Sequence, residues 1–291
     1  MRWLFCTLLI FSNVASGAEG FSSGPIYNGK TLERVNLQDV LTSIPAGSAV
    51  VLSEIHTLKS HHENQLAFIK ELSKVTSNKI NIGFEMFDVT EQNLLDDYSD
   101  QLITAEQLKS YVSLSKDWFG YYLPLLNFAQ GPNSQAFALN APKWLTSKIA
   151  RVGLAQLSNF EKLLIPSEFE LGDAAYLERF KEVTHIPQDK IQNYFEAQCT
   201  WDDVMAEAGK EYLISNPSSI LVIIVGDFHA AYYGGLPKRL KARGINNVIT
   251  ISQVSTADMN EKEKDELLKP HPKYGPRADY IWVSEEAETR H

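Results

Sequence analysis

Residues 220–229 read Ile220-Leu221-Val222-Ile223-Ile224-Val225-Gly226-Asp227-Phe228-His229. The first part of this stretch is a short, fully apolar run, which is typical of a strand buried on both faces of a parallel sheet. Polar residues begin where the run ends, so Asp227 and His229 are predicted to follow the carboxyl end of the strand. In α/β proteins the functional loops gather at that edge of the sheet.

Five similar runs elsewhere in the chain alternate with helical patterns. They lie at residues 49–52, 80–84, 136–139, 248–251 and 280–283. Ser60 with Glu63 has the spacing of a capping box that starts one helix, and Asp88 with Glu91 has the same spacing. The alternation predicts an α/β fold, in which a largely parallel sheet is flanked by helices.

Helical patterns alone fill the stretch from about residue 143 to about residue 216. We predict that this stretch, residues 143–216, forms a smaller helical lobe inserted between two halves of the sheet. The lobe is expected to belong to a single domain at residues 19–285, which a polar tail at residues 286–291 follows.

The N-terminus has the layout of a cleavable signal peptide. Arg2 precedes an apolar run at residues 4–11, and small residues follow up to Ala18. The run is shorter than the roughly 20 residues that span a bilayer, so no stable membrane insertion is expected. We predict a signal peptide at residues 1–18, cleavage after Ala18 and a secreted or periplasmic mature protein. Cys199 is then the only cysteine left, which excludes an intrachain disulfide.

The charge of the chain argues against nucleic acid as a partner. There are 27 Lys and Arg residues against 36 Asp and Glu, which gives a formal net charge of -9. An acidic protein without a basic aromatic patch has no general attraction for phosphate backbones. Nucleic acid is therefore not an expected partner.

Four polar side chains follow predicted strands at their carboxyl ends. Glu54 and His56 come after the first run in the chain, Glu85 ends the second, and His229 follows the fourth. If they converge, they can hold a divalent metal ion, or act as acid and base in hydrolysis. Each of them alone is more often structural, capping a helix or binding backbone, but their shared position favours function.

Aromatic residues and a lone cysteine are further candidates. Tyr232 and Tyr233 lie shortly after the fourth run, and phenolate oxygen is a known ligand of haem iron, as is imidazole nitrogen. Aromatic rings are more often core packing, and that alternative stays open. Cys199 is expected to be a buried structural thiol, while His61 and His62 are expected to be solvated.

An ordered set of motifs, spanning roughly residues 35 to 285, resembles a known family. The set comprises Ser53-Glu54-Ile55-His56, His61-His62-Glu63-Asn64-Gln65, Phe84-Glu85-Met86-Phe87, Trp118 to Pro124, Ala138-Leu139-Asn140-Ala141-Pro142, Ala197-Gln198-Cys199-Thr200-Trp201-Asp202, and Gly226-Asp227-Phe228-His229 leading to Gly235-Leu236-Pro237. The chain resembles the ChaN-like haem-binding uptake family, in the superfamily that includes Tiki-type metalloproteases and erythromycin-esterase-like proteins. Ser53 departs from the pattern, which usually has glycine there, so the turn is expected to differ slightly.

The resemblance implies a parallel-sheet core with a helical lobe, and an extracytoplasmic role in haem or iron uptake or handling. It points to His229, Tyr232 and Tyr233 as the side chains that bind the haem cofactor. Haem or another small molecule is the implied partner, and a homodimer on haem binding is part of the same expectation.

The wider superfamily implies an alternative, a hydrolase of esters or peptides. In that interpretation Glu54, His56, Glu85 and His229 are the catalytic residues, or they hold a divalent metal ion. A third alternative is a protein with a vestigial site that only scaffolds partners, and related folds do host unrelated functions.

Overall fold

Eight strands form one sheet in residues 24–287, the part of the chain that the computed structural model describes. The predicted signal peptide at residues 1–18 lies outside the described residues, and so do residues 288–291 of the predicted tail. The strands are β1 (Ile26–Asn28), β2 (Arg34–Val35), β3 (Ala49–Glu54), β4 (Ile80–Asp88), β5 (Ala136–Asn140), β6 (Ile220–Gly226), β7 (Val248–Ser255) and β8 (Tyr280–Ser284).

Helices surround this sheet. Those of the described residues are α1 (Leu37–Thr42), α2 (Lys59–Val75), α3 (Gln92–Ser99), α4 (Ala105–Tyr111), α5 (Lys116–Ala129), α6 (Lys143–Val152), α7 (Asn159–Lys162), α8 (Ala174–Val183), α9 (Ile191–Ser215), α10 (Asp227–Ala230), α11 (Leu236–Ala242) and α12 (Glu261–Leu268). Between β5 and β6 the chain forms α6 to α9, while the division into a lobe and a core stays a prediction. Within residues 24–287, no helix has the length and apolar character that a membrane span requires.

The strands are ordered β2-β1-β8-β7-β3-β6-β4-β5 in the sheet. Every pair from β8 to β5 is parallel, and β1 pairs antiparallel with β2 and β8. The predicted α/β fold with a largely parallel sheet is therefore confirmed. The prediction missed β1 and β2, because strands of three and two residues are too short to show a hydrophobic period.

Helical layers cover both faces of the sheet. On one face, Phe68 of α2 and Tyr122 of α5 share a buried cluster with Phe84 of β4. On the other face, Met205 of α9 packs in a second cluster with Ile223 of β6. The side chains of β6 enter the two clusters alternately, which is why the whole strand is apolar and buried. The carboxyl ends of the central strands consequently lie between α5 and α9.

Of the two predicted capping boxes, one is wrong and one is confirmed. Ser60 does not cap α2, because the helix begins at Lys59 and Leu58 occupies the N-cap position without a side-chain bond. The backbone N–H of Ser60 instead donates to Glu286 Oε2 at 2.6 Å. Asp88 and Glu91 form the expected capping box, at the 3₁₀ turn that leads into α3.

Candidate functional site

A crevice of about 510 Å³ lies at the carboxyl ends of the central strands. His56 reaches it from the loop after β3, Glu85 from β4 and Asn140 from the end of β5. Trp118 of α5 and Trp201 of α9 also line it. Because α5 and α9 cover opposite faces of the sheet, the two indoles come from opposite sides of the crevice.

Glu54 forms the buried base of one side of the crevice, with 1% of its surface exposed. Its Oε1 accepts a hydrogen bond from His56 Nδ1 at 2.8 Å and another from the Tyr122 hydroxyl. Its Oε2 accepts one from Gln65 Nε2 at 2.6 Å and lies 3.3 Å from His62 Nδ1. Burial alone would raise the pKa of Glu54, but these imidazole neighbours hold it below its usual value.

His56 is the imidazole of the site that reaches the crevice, since 31% of its side chain is exposed. Its ring stacks on Trp118 with 5.4 Å between ring centroids. Burial would lower its pKa, but the hydrogen bond to Glu54 and the charge of Glu85 raise it. A Cβ on Gly226 would lie 2.8 Å from His56 Nε2, so only glycine lets the end of β6 approach the ring.

His229 bridges two carboxylates on the other side of the crevice. Its Nδ1 lies 2.7 Å from Asp202 Oδ1, and its Nε2 lies 3.3 Å from Glu85 Oε1. Burial opposes protonation, but the two carboxylates raise the pKa of His229 to about 10, and His229 in turn lowers that of Glu85 to about 2. The two carboxylates therefore favour the imidazolium form of His229.

The four side chains predicted from the strand ends thus meet at one crevice, as two imidazole–carboxylate pairs. In this arrangement both oxygens of Glu54 accept hydrogen bonds, His229 Nδ1 contacts Asp202, and His229 Nε2 lies 3.3 Å from Glu85 Oε1. These atoms are engaged with one another rather than with a metal ion. Among residues 24–287, no group of three or more His, Cys, Asp or Glu side chains has an arrangement that could hold a metal.

Tyr232 and Tyr233 line a different cavity, of about 410 Å³, which we call the tyrosine cavity. Both residues have left-handed backbone conformations, with φ of 57° and 59°, which are uncommon outside glycine and often mark functional sites. His229 is buried and lies 3.3 Å from Glu85, which lines the crevice, whereas Tyr232 and Tyr233 line the tyrosine cavity. The remaining lining includes Tyr176, Arg179, Lys238, Lys241, Lys273 and Tyr274.

The two tyrosines differ in their partners. Tyr233 donates from its hydroxyl to Asp279 Oδ1 at 3.0 Å, and burial together with this carboxylate raises the pKa of Tyr233. The Tyr232 ring lies 4.8 Å from Cζ of Arg179 and 5.7 Å from Cζ of Arg277. Tyr233 is therefore held as a neutral phenol beside an acid, whereas Tyr232 lies among positive charges.

His61 and His62 of α2 belong to the hydrogen-bond network around the crevice. The prediction that they are solvated is wrong. His62 is 5% exposed, contacts Glu54 and stacks on Tyr121 with 4.8 Å between centroids. His61 is fully buried, and its Nδ1 accepts the backbone N–H of Ile55. Burial lowers the pKa of His61 to about 4, so that ring is neutral.

A sequence signal for these histidines exists. His61 and His62 precede the buried Phe68 and Ile69 by seven residues each, which is close to two helical turns. They therefore share the inward face of α2. Asp202 carries no comparable signal, because its contact with His229 depends on α9 packing beside the end of β6.

Cys199 is buried, as predicted. Burial raises the pKa of its thiol to about 12, and the thiol accepts the backbone N–H of Gly172. The protonated thiol is a weak nucleophile, which agrees with a structural role.

A family model described as haem-binding uptake, Tiki superfamily, ChaN, matches residues 40–240. No curated protein matches the chain. Among solved structures, one titled "Cofacial heme binding to ChaN of Campylobacter jejuni" is similar to this fold, with a TM-score of 0.67 and 15% sequence identity over 90% of this chain and 97% of that one. At that identity the likeness shows the fold alone.

Weaker structural likenesses follow. A mutant of the erythromycin esterase EreC, in its open conformation, has a TM-score of 0.49 and 13% identity over 84% of this chain and 78% of that one. The type III effector HopBA1 has a TM-score of 0.44 and 10% identity over 93% and 100%. The family model covers well over half of the 291 residues. The chain therefore belongs to the ChaN family of haem-binding uptake proteins in the Tiki superfamily.

Proposed function

We propose that this protein is a secreted or periplasmic haem-binding protein that takes part in haem or iron uptake or handling. Its family supports haem as the ligand. The observation that carries the proposal for this chain is the tyrosine cavity, where a phenol able to bind iron lies among cationic side chains. We extend the proposal to a homodimer formed on haem binding.

Tyr232 is the iron ligand in this proposal. A phenolate is anionic, and the two guanidinium groups beside the Tyr232 ring are electrostatically compatible with it. Tyr233 is the poorer candidate, since its hydroxyl donates a hydrogen bond to the Asp279 carboxylate. His229 is also a poor candidate, because both of its ring nitrogens are bonded to carboxylates.

The charge of the cavity supports the same ligand. Haem carries two carboxylates, and Lys238, Lys241 and Lys273 line the tyrosine cavity. The Lys241 ammonium lies 5.3 Å from the Tyr233 ring centroid, within the range of a cation–π contact. Asp173 also lines the cavity and pairs with Lys238, and Lys273 pairs with Glu178, so Arg179 and Lys241 are the cations best placed to meet an anionic ligand there.

Haem titration into the mature chain, residues 19–291, tests the proposal. We expect a saturable shift of the Soret band in the wild type and in Tyr233→Phe, and loss of the shift in Tyr232→Phe. Light scattering of the titrated sample measures the homodimer. Featureless, non-saturating uptake would contradict haem binding, and an unchanged spectrum in Tyr232→Phe would contradict the assigned ligand.

Hydrolysis of an ester or peptide bond in the crevice is a second candidate function. The specific observation is that Glu54 binds Nδ1 of His56, a ring that faces the crevice. This fixes the ring so that a neutral His56 can take a proton from an attacking water through Nε2 and return it to the leaving group. No step of this mechanism requires a metal ion.

A panel of chromogenic esters and peptides tests the second candidate. The wild type is expected to hydrolyse at least one of them, and His56→Gln to lose about 10²–10⁴-fold of the rate. The exposed His185 provides a control, His185→Gln, that should keep full activity. Equal rates in wild type and His56→Gln would remove this candidate. Metal analysis of protein purified without chelator should find no stoichiometric transition metal.

A further inference from the structure

Arg179 is a buried cation at the tyrosine cavity. Its side chain lines the tyrosine cavity, yet the residue is 6% exposed. Within residues 24–287 it forms no ion pair, and its guanidinium donates one hydrogen bond, from Nη1 to the carbonyl oxygen of Ala231 at 2.6 Å. Burying a charge without a counter-charge is costly, so such a group is rare unless something else compensates it.

The surroundings of Arg179 supply only weak compensation. Its Cζ lies 4.9 Å from the Phe228 ring centroid, 4.8 Å from that of Tyr232 and 5.8 Å from that of Tyr176. Asp227 attracts it from a distance, but the Asp227 carboxylate forms its ion pair with Arg277. Burial consequently lowers the pKa of Arg179 below that of an ordinary arginine.

Other buried arginines of this chain are different. Arg239 is 4% exposed and pairs with Asp202 and Asp203. Arg243 is 9% exposed and pairs with Asp203 and Glu207. Arg179 therefore departs from the pattern that the same protein follows elsewhere in its interior, and the unpaired charge is a feature of the tyrosine cavity.

We propose that Arg179 binds an oxyanion, a carboxylate or a phosphate group, in the tyrosine cavity. The planar guanidinium offers further N–H donors in a fork that matches two oxygens of such a group, and Lys241 lines the same cavity. Lys238 and Lys273 line it too, where they pair with Asp173 and Glu178. Where the oxyanion is a carboxylate of haem, this inference rests on the proposed function. A free phosphate also offers oxyanion oxygens to the guanidinium, and its binding does not depend on the proposed haem function.

Inorganic phosphate is the first probe. We expect calorimetry to show saturable phosphate binding to the wild type, and the thermal midpoint to rise in phosphate compared with chloride of equal ionic strength. Arg179→Gln should bind phosphate at least about tenfold more weakly, since it loses a charge-assisted bond. Arg151→Gln removes one exposed positive charge on α6 and should behave like the wild type.

Haem and its dimethyl ester are the second pair of probes, because they share the iron and the ring but only haem has free carboxylates. If Arg179 holds a haem carboxylate, the wild type binds haem more tightly than the ester, and Arg179→Gln binds the two equally. If the site serves a free oxyanion, phosphate binding depends on Arg179, while haem and ester do not differ in either protein.

The outcomes separate this inference from the proposed function. Phosphate binding that depends on Arg179, without any haem binding, supports the oxyanion site and contradicts the haem proposal. Haem binding through Tyr232, with no phosphate binding and equal affinities for haem and ester in the wild type, overturns the oxyanion site. That last comparison uses wild-type protein alone, so it holds even if Arg179→Gln does not fold.

Discussion

The crevice and the tyrosine cavity differ in how their charges are compensated. In the crevice, Glu54 pairs with His56, and Glu85 pairs with His229. In the tyrosine cavity, Arg179 forms no ion pair with any acid of residues 24–287. Paired charges fix the orientation of catalytic or structural groups, whereas an unpaired buried charge leaves a place for a ligand to fill.

Residues that are close in sequence lie in different surroundings here. His229 and Tyr232 are three residues apart, but His229 contacts Glu85 of the crevice, while Tyr232, in a left-handed conformation, lines the tyrosine cavity. The same short loop therefore supplies the protonated imidazole of one site and the phenol of the other.

The largest expected effect is on the crevice. His229→Ala leaves the carboxylates of Glu85 and Asp202 buried without their shared partner. Removing one member of a buried ion pair costs about 3–5 kcal/mol of unfolding free energy. Urea unfolding followed by circular dichroism measures it. His185→Ala removes an exposed histidine and should change stability by less than about 0.5 kcal/mol. A cost for His229→Ala as small as this control's would mean that the crevice charges are not paired as described.

The pH dependence of stability sharpens the same comparison. The folded pKa of His229 is raised to about 10, so its contribution is fully present below its unfolded value of 6.5 and declines as the pH rises through about 10. The folded pKa of Glu85 is lowered to about 2, so its contribution is present above 4.5 and declines as the pH falls through about 2.

We therefore expect the unfolding free energy of the wild type to fall between about pH 7 and pH 10. His229→Gln cannot bind the proton, so its profile over this interval should be flatter. Parallel profiles for the two proteins would show that the imidazolium between Glu85 and Asp202 does not set the alkaline limit.

Gly226→Ala tests the close approach at the floor of the crevice. The new Cβ would lie 2.8 Å from His56 Nε2 and 3.4 Å from Glu85 Oε2, so the ring must move. Overpacking of this kind costs about 1–3 kcal/mol. Gly120→Ala is a matched control, because a Cβ there meets nothing within 4 Å and the position lies in α5. It should leave stability unchanged or raise it by up to about 1 kcal/mol, because alanine favours a helix more than glycine does. If Gly226→Ala is as stable as Gly120→Ala, the His56 ring does not lie as close to Gly226 as described.

How much of this was readable in the sequence depends on the range of the interaction. The six long strands could be predicted, because buried parallel strands are continuous apolar runs. The ends of those strands then placed Glu54, His56, Glu85 and His229 at one edge of the sheet. The contact between His229 and Asp202 could not be predicted, because Asp202 lies on a different helix, α9. The separate cavity of Tyr232 and Tyr233 could not be predicted either, because no sequence pattern specifies two successive left-handed residues that are not glycine.

Ser53 links the two regions, and it gives the smallest expected effect. Its hydroxyl donates to Asp227 Oδ1 at 2.7 Å, and Asp227 in turn pairs with Arg277, whose guanidinium lies beside Tyr232. Ser53→Ala removes one buried hydrogen bond and should cost about 0.5–1.5 kcal/mol in urea unfolding. Ser53→Gly, the residue expected at this position in the family, should cost about 0.5–1 kcal/mol more, since glycine loses more conformational freedom in a strand. If Ser53→Gly is instead as stable as the wild type, a favourable effect of glycine on the backbone compensates for the lost hydrogen bond of the hydroxyl. In that case the Ser53 hydroxyl would not be needed to hold Asp227 in place.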